Sequence, residues 1–352
     1  MDERIGIRIP EVDVEARRRA RERADALLMP SRALGRLLDL GEQVAGIAGF
    51  PTPDLSRKAV VVMAGDHGVT EEGVSAYPSD VTGQMVHGFA AGMAGINVLS
   101  RHAGIDVRVV DMGCRADLSA LVASGAVIDM KVAPGTRNMR RQNAMSPEQA
   151  VLCVRRGAEV ARRLADEGVA MIGTGDMGIG NTTPSAAIAV VATGRKARAL
   201  TGRGTGIDDA GLSRKTRVIE QSISERAPSP RDALDILSKI GGFEIGGIAG
   251  LVLGAAERRL PVVIDGVIST AGAVLAWLLE PRVRDYLFAA HRSVEPAHEA
   301  MLALLGLRPI LDLEMRLGEG TGCALAMPII EAGAKVIREM ATFAEAGVSG
   351  AT

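Results

Sequence analysis

The chain has 352 residues, 47% of them hydrophobic, with 42 glycines, which suits one large α/β domain and a smaller satellite. Its 41 basic and 42 acidic residues leave a formal net charge of -1, and aromatics make up only 2%. That excludes a global field drawing it to nucleic acid and leaves little on which to stack exposed bases.

From Val12 the sequence is charged and Ala-rich as far as Leu28, before Pro30. Arg32 to Ile47 carries Leu34, Leu37, Leu38, Val44 and Ile47 at helical spacing. The two segments predict a small helical unit ahead of the main domain, with Gly49, Pro51 and Pro53 as linker. Ala59 to Met63 is a short apolar strand running into Ala-Gly-Asp-His-Gly68, and Ser79 to Ser100 predicts a helix. Val107 to Val110 makes a second strand ending at Asp111-Met-Gly113, a third falls within Ala126 to Val132, and Pro147 to Glu167 is a helix. Leu234 to Leu253 is glycine-broken and helical in part. Pro261 to Ile264 is another buried strand, ending at Asp265-Gly266, with a helix from Thr270 to Leu279. Cys323 to Ala346 reads as a long amphipathic helix, apart from Pro328, that returns to the N-terminal helices. Short apolar strands alternating with helices predict a parallel sheet covered on both faces. Ligands of such sheets sit beyond the carboxyl ends of the strands, which gathers Asp66, His67, Asp111, the 173–183 loop and Asp265 around one mouth.

Three scattered cysteines (Cys114, Cys153, Cys323) without a C-x-x-C pair fit a reducing compartment. The stretch MDERIGIRIPEVDVEARRRARER has no apolar signal core. The uncharged run from Gly266 to Leu279 is shorter than the ~20 residues of helix that span a bilayer. The expectation is a cytoplasmic protein with no membrane partner.

The stretch richest in chemistry is AMIGTGDMGIGNTT, Ala170 to Thr183: an apolar run, glycines at 173, 175, 178 and 180, then Asn181 and two threonines ahead of an Ala-rich helix. A strand, a Gly-rich turn and a helix N-terminus bring unpartnered amides and the positive end of a helix dipole to one point, which favours a phosphate. The alternative is a tight turn that binds nothing. Gly173 to Gly178 also fits G-x-G-x-x-G, the motive for a rival reading as a nicotinamide-dinucleotide oxidoreductase. That fingerprint asks for an acidic residue about 20 positions on, where the chain reads Thr193-Gly-Arg-Lys-Ala-Arg198. There is no G-K-[ST] ending either, so a mononucleotide phosphate suits the stretch better.

Elsewhere, Glu319 lies between glycines in Arg316-Leu-Gly-Glu-Gly-Thr-Gly322. It is either loop decoration or a reactive carboxylate that a flat substrate can approach. Lys215, in a basic helical cluster, belongs either to a solvated face or to a phosphate site as a point charge. His291 and His298 flank Glu295 and hint at a metal, but Pro296 disfavours a single helical face. A loop supplying contacts from Ser293 is the better reading. Asp66-His67 reads as a polar strand-end turn. No metal or cofactor is expected, and no cysteine has a partner that marks it as a nucleophile.

Five stretches combine: AGDHGVTEEGVSAYPSDVTGQMV (64–86), GTGDMGIGNTT (173–183), GRGTGIDD (202–209), HRSVEPAH (291–298) and RLGEGTG (316–322). Together, in order and over nearly the whole chain, they resemble the nicotinate-nucleotide:dimethylbenzimidazole phosphoribosyltransferase family, which builds the lower-ligand nucleotide of cobalamin. The resemblance implies a three-layer α/β fold with a mostly parallel, Rossmann-like sheet (58–322), a small helical domain from 1–50 and 323–352, and a homodimer. It implies Glu319 as catalytic base, with Asp176 as a second acid/base or ribose contact. It implies a benzimidazole pocket around Ala76, Tyr77, Pro78, Gln84, Met85 and Leu317. The nucleotide and its phosphate would fall to Gly175, Gly178, Ile179, Gly180, Asn181, Thr182, Lys215, Asp265, Gly266 and Ser293. The substrates would be nicotinate mononucleotide and a benzimidazole-type base; adenine and phenolic bases differ from it by a few atoms. Three departures stand out; one is Gly135-Thr-Arg-Asn-Met139, which departs from the usual aromatic ending. Asp176 occupies the place of a family Glu, which motivates a second rival reading as a non-catalytic nucleotide-binding homologue. Met29-Pro-Ser-Arg-Ala-Leu-Gly35 also lacks the Lys of K-P-x-G-S-L-G.

Overall fold

A computed structural model describes residues 3–349. In chain order its elements begin with α1 (Val14–Ala26), α2 (Arg36–Ala48), β1 (Lys58–Gly65), α3 (Val81–Ala90), α4 (Gly95–Ala103) and β2 (Asp106–Gly113). Then follow α5 (Ser119–Ala123), β3 (Ile128–Asp129), α6 (Pro147–Asp166), β4 (Met171–Met177), α7 (Thr182–Thr193), α8 (Ala197–Leu200) and α9 (Asp209–Arg226). The chain closes with α10 (Ala233–Ile240), α11 (Phe243–Glu257), β5 (Val262–Ile264), α12 (Val267–Leu279), β6 (Leu287–Ala289), α13 (Pro296–Leu305), α14 (Thr321–Glu339) and α15 (Phe343–Ala346).

The six strands form one all-parallel sheet in the order β3-β2-β1-β4-β5-β6, the order of the doubly wound dinucleotide folds. β1 is buried at every position, as its apolar run KAVVVMAG demands when helices cover both faces. α11 lies against β1, β2 and β4 with α6 packed on its outer side and α12 beside it, while α14 packs with α4 and α2. The topology reverses between β1 and β4, so their carboxyl ends splay apart and open a crevice.

Local chemistry sets several boundaries where the sequence predicts them. Asp13 caps α1 by accepting from the Ala16 amide at 2.8 Å. A Ser146–Gln149 capping box with Pro147 in the first turn starts α6. α1 and α2 share a small apolar cluster (Ala20, Ala24, Leu27, Leu38, Ala45) with Ile337 at the far end of α14. Leu40, Val44 and Ile47 of α2 and most of α14 belong to the main core, so the helical unit and the sheet share α14. Residues 1–2 and 350–352 of the predicted helical unit lie outside the described residues.

Four elements differ from expectation. The predicted 79–100 helix is two helices, broken at Ala91–Ala94, where Gly92 has φ +73°. The third strand is only two residues long. β6 went unrecognised because a three-residue strand has no readable period. β4 does not end at the first glycine but runs through Gly173 and Gly175 to Met177. Those glycines do not turn the chain; they clear space above the sheet. A Cβ on Gly173 would lie 2.9 Å from that of Cys323, and one on Gly175 would meet the carbonyl oxygen of Glu319. The start of α14 therefore lies directly on the strand. The literal G-x-G-x-x-G is strand rather than phosphate turn, which removes the dinucleotide reading.

Candidate active site

Beyond the carboxyl ends of β1, β4 and β5 lies a cleft of about 480 Å³. Its lining brings together eleven of the sequence-predicted residues: Tyr77, Met85, Asp176, Gly178, Ile179, Asn181, Thr182, Gly266, Ser293, Leu317 and Glu319.

At one end, the turn after β4 delivers the chain into α7. Gly180, at φ +91°, takes the left-handed conformation that the turn needs, and it lies beneath the lining rather than in it. Asn181 occupies the N-cap of α7 but does not cap it; its side-chain amide donates to Asp176 Oδ2 at 3.0 Å. The Asn181 and Thr183 amides donate to the Gly178 and Gly180 carbonyls, both at 3.0 Å, and Pro184 carries no N–H, so among the described residues the Thr182 amide is the one left open at the start of α7. Asn181 and Thr182 both line the cleft. Beneath them Lys215, on α9, is fully buried rather than part of a solvated face. Its Nζ donates to the Thr182 hydroxyl at 2.7 Å and to the Gly202 carbonyl at 3.1 Å. Burial pushes the ammonium down to about 8, against the opposing pull of Glu295.

At the other end, Glu319 sits on the Gly318–Gly320 turn ahead of α14 with φ +62°. Its side chain faces inward: Oε2 accepts from the Ile96 amide at 3.0 Å, at the N-terminus of α4. Oε1 has no hydrogen bond among the described residues, and the residue lines the cleft. Burial raises its carboxyl above the ordinary range; the Ile96 amide opposes this and Asp265 adds to it. Asp176, at the end of β4, is raised well above that range, chiefly by burial and then by Asp265, despite the Asn181 amide. Its Oδ1 is buried without a partner.

The remaining predicted residues lie apart from the cleft wall. Ala76 and Pro78 are exposed on the loop after β1, whose Ala76 amide donates to Thr205 Oγ1 at 3.0 Å. Gln84 faces a separate groove with Asp66, Asp80, His87 and Arg115, because Val81 and Met85, one turn apart, turn the other flank of α3 to the cleft. Gly175 is covered by the Glu319 backbone. Asp265 is fully buried behind the Glu319 turn. His67 Nε2 meets Glu244 Oε1 at 2.7 Å, and Asp66 Oδ2 accepts from the Arg115 amide at 2.8 Å. His298 Nδ1 accepts from the Ser293 amide at 3.0 Å; burial pushes this imidazole down to about 3, so it is neutral.

Two contributors were not assigned from sequence. One is the N-terminus of α4, which holds Glu319; the Gly92–Gly95 pair inside the predicted helix was its available signal. The other is the Gly204–Thr205 loop, which lines the cleft and is fixed by Glu295 Oε1 accepting from the Gly204 amide at 2.9 Å.

A helix N-terminus backed by a buried lysine, facing a buried carboxylate across a cleft at the topological switch point, is the layout of an enzyme that holds a phosphate and works on what is attached to it. Residues 9–348 match a family model described as phosphoribosyltransferase. The nicotinate-nucleotide–dimethylbenzimidazole phosphoribosyltransferase of Geotalea uraniireducens is 54% identical over 342 residues, covering 97% of this chain and 96% of that one. The protein of the same name from a Roseiflexus species is 54% identical over 343 residues, with 97% and 96% covered. A crystal structure of the Thermus thermophilus enzyme of that name superposes with a TM-score of 0.90 at 44% identity, covering 96% of this chain and all of that one. This chain belongs to the nicotinate-nucleotide–dimethylbenzimidazole phosphoribosyltransferase family.

Proposed function

We propose that this protein moves phosphoribose from nicotinate mononucleotide to 5,6-dimethylbenzimidazole or a related base, giving α-ribazole 5′-phosphate and nicotinate for the lower ligand of cobalamin. Family membership supports the reaction class. The single observation that carries the residue assignment is the inward-facing Glu319, buried and lining the same cleft as the uncapped start of α7.

The chemistry asks for little else. The glycosidic nitrogen of the mononucleotide is a pyridinium, so nicotinate leaves with the bonding pair and needs no proton. The attacking benzimidazole nitrogen would leave its ring cationic unless the far N–H loses its proton, and we assign that proton to Glu319 Oε1. General-base help of this kind is typically worth about 10²–10⁴-fold. Attack from the face opposite nicotinate inverts C1′ and gives the α-nucleotide. The 5′-phosphate is a handle, received by the Thr182 amide at the start of α7 with Lys215 behind it, and fixing it orients C1′ against the nucleophile, an effect that can reach roughly 7–11 kcal/mol. Met85, Val81, Ile179 and Leu317 offer an apolar slot for a flat base. Asp176, whose carboxyl burial and Asp265 push up, can when protonated donate to a ribose hydroxyl or to the nicotinate carboxylate.

We read the protein as a cytoplasmic homodimer. Tyr77 (55% exposed) and Leu317 (60%) stand at the cleft mouth, and exposed Met93 and Val98 flank Gly95, against which Leu317 packs. Such a rim suits a second copy. All three cysteines are free and buried. No helix of the described residues is long and apolar enough to cross a membrane.

The test is incubation with nicotinate mononucleotide and dimethylbenzimidazole. Release of nicotinate with formation of the α-anomer is expected. A protein that binds the mononucleotide yet releases no nicotinate is a nucleotide-binding homologue and not this enzyme. Competition among benzimidazoles, adenine and phenolic bases then ranks the acceptors.

A further inference from the structure

Glu319 has an uncommon backbone for a residue with a side chain: φ +62°, between Gly318 at +82° and Gly320 at +89°. A left-handed non-glycine residue persists where its surroundings over-determine it. Thr321 closes the turn locally, its amide and hydroxyl donating to the Gly318 carbonyl at 3.1 and 2.9 Å, and one buried carboxylate ties the turn to the sheet. Asp265 follows β5, is fully buried, and its own amide donates to Thr174 Oγ1 of β4 at 3.3 Å. Its Oδ2 accepts from the Gly320 amide at 3.1 Å, and its Oδ1 accepts from Gly322 at 2.7 Å and Cys323 at 3.3 Å. These are the otherwise unpartnered donors at the start of α14, where a carboxylate also meets the positive end of the helix dipole. The Gly320 amide belongs to the peptide bond that joins Glu319 to its successor. The carboxylate does not line the cleft, so a direct role on the nucleotide has no geometry behind it.

We propose that Asp265 is a positioning residue: by clamping three amides of the 320–323 turn to the end of β5, it holds Glu319 in the left-handed conformation that aims its carboxylate into the cleft. This rests on Glu319 being the base. The clamp also acts through charge. The titratable groups that share the cleft with Glu319 are Tyr77, Asp176, His291, Glu295 and Arg316, with Asp265 behind its turn and the amide end of α4 at Oε2. Of these, Asp265 raises the Glu319 carboxyl. His291, whose Nε2 lies 3.6 Å from Asp265 Oδ1, opposes the burial that raises Asp265 itself.

Asp265→Asn presents one oxygen where two are used and sets a donor against a donor. The expected result is a kcat lower by about 10–100-fold, the scale of a displaced reacting group, with the KM for nicotinate mononucleotide within about threefold. Loss of the neighbouring charge should also move the acidic limb of the kcat–pH profile to lower pH, which a general loosening of the fold would not do. In a Glu319→Gln background the same change should cost nothing further. A fully additive loss in the double variant, or a raised KM with an unmoved acidic limb, overturns the clamp. If Asp265→Asn does not fold, Asp265→Glu keeps the charge but misplaces it. It should then lower kcat with the limb where the wild type has it, and wild-type kcat in that variant also sinks the proposal. Near-normal turnover by Glu319→Gln alone would instead remove the base on which the inference stands.

Discussion

At one end of the cleft Glu319 shares its surroundings with Asp176 and Asp265, and burial pushes all three carboxyls up; at the other, burial pushes the Lys215 ammonium down to about 8. Exclusion of water works against the charged form at both ends, raising the acids and lowering the ammonium. The ends differ in what stands in for the water. Glu319 and Asp265 are held by backbone amides, four of them across the two side chains, fixed by the starts of α4 and α14. Among the described residues Lys215 has only a hydroxyl and one carbonyl as hydrogen-bond partners, and the pull of Glu295 does not offset its burial. The base end leaves Glu319 Oε1 and the buried Asp176 Oδ1 open to a substrate. On the proposed assignment, the lysine end would be completed by the ligand's own negative charge. The acid end is therefore expected to set kcat, and the lysine end to set affinity.

The largest effect that could break this division is Glu319→Gln. Its kcat should fall about 10²–10⁴-fold while mononucleotide affinity stays near the wild-type value, measured by steady-state kinetics and calorimetry; comparable turnover would remove the base assignment. Next comes Lys215→Ala, expected to weaken mononucleotide binding by about 10–100-fold, the ~1.5–3 kcal/mol of a charge-assisted hydrogen bond, with kcat largely kept. A loss confined to the benzimidazole would place the phosphate elsewhere. The pH dependence sharpens the contrast. The base works deprotonated, so kcat should rise through an apparent pKa above the usual Glu range. Lys215 binds phosphate protonated, so mononucleotide KM should climb as pH passes about 8. A KM that is flat from pH 7 to 9 would contradict the second limb. The smallest effect belongs to Asp176→Asn. If Asp176 carries its proton, the amide reproduces its shape and its donor. Turnover should then fall by less than about tenfold, well short of the ~10²–10⁴ of a working base, and a larger loss would mean that Asp176 works as an anion.

Much of this was legible before any fold was seen. The strand cores at Ala59–Met63, Val107–Val110 and Pro261–Ile264 fall within or overlap β1, β2 and β5, because a strand buried on both faces must be continuously apolar. The helix read from Pro147 does begin at that residue. The site was legible as a set of motifs, and eleven of its residues do meet in one cleft. Gln84 was not separable from Met85 by sequence. Neighbours on a helix point about 100° apart, and which flank faces the ligand depends on how α3 is rolled against β1 and β4. The glycines at 173 and 175 looked like a turn because a missing side chain reads the same whether it frees a dihedral angle or clears space for another segment.

Composition and local pattern determined that this chain would form a parallel α/β sheet with a phosphate-ready helix end and a glycine-flanked acid, because those features depend on residues close together in sequence. Only the tertiary structure decided that Glu319 turns inward, that Lys215 is sealed beneath Thr182 instead of facing solvent, and that Asp265 grips the turn carrying the base. Each of those outcomes joins segments 33 to 223 positions apart, and burial, which sets their charge, belongs to the packed whole and to no single stretch of it.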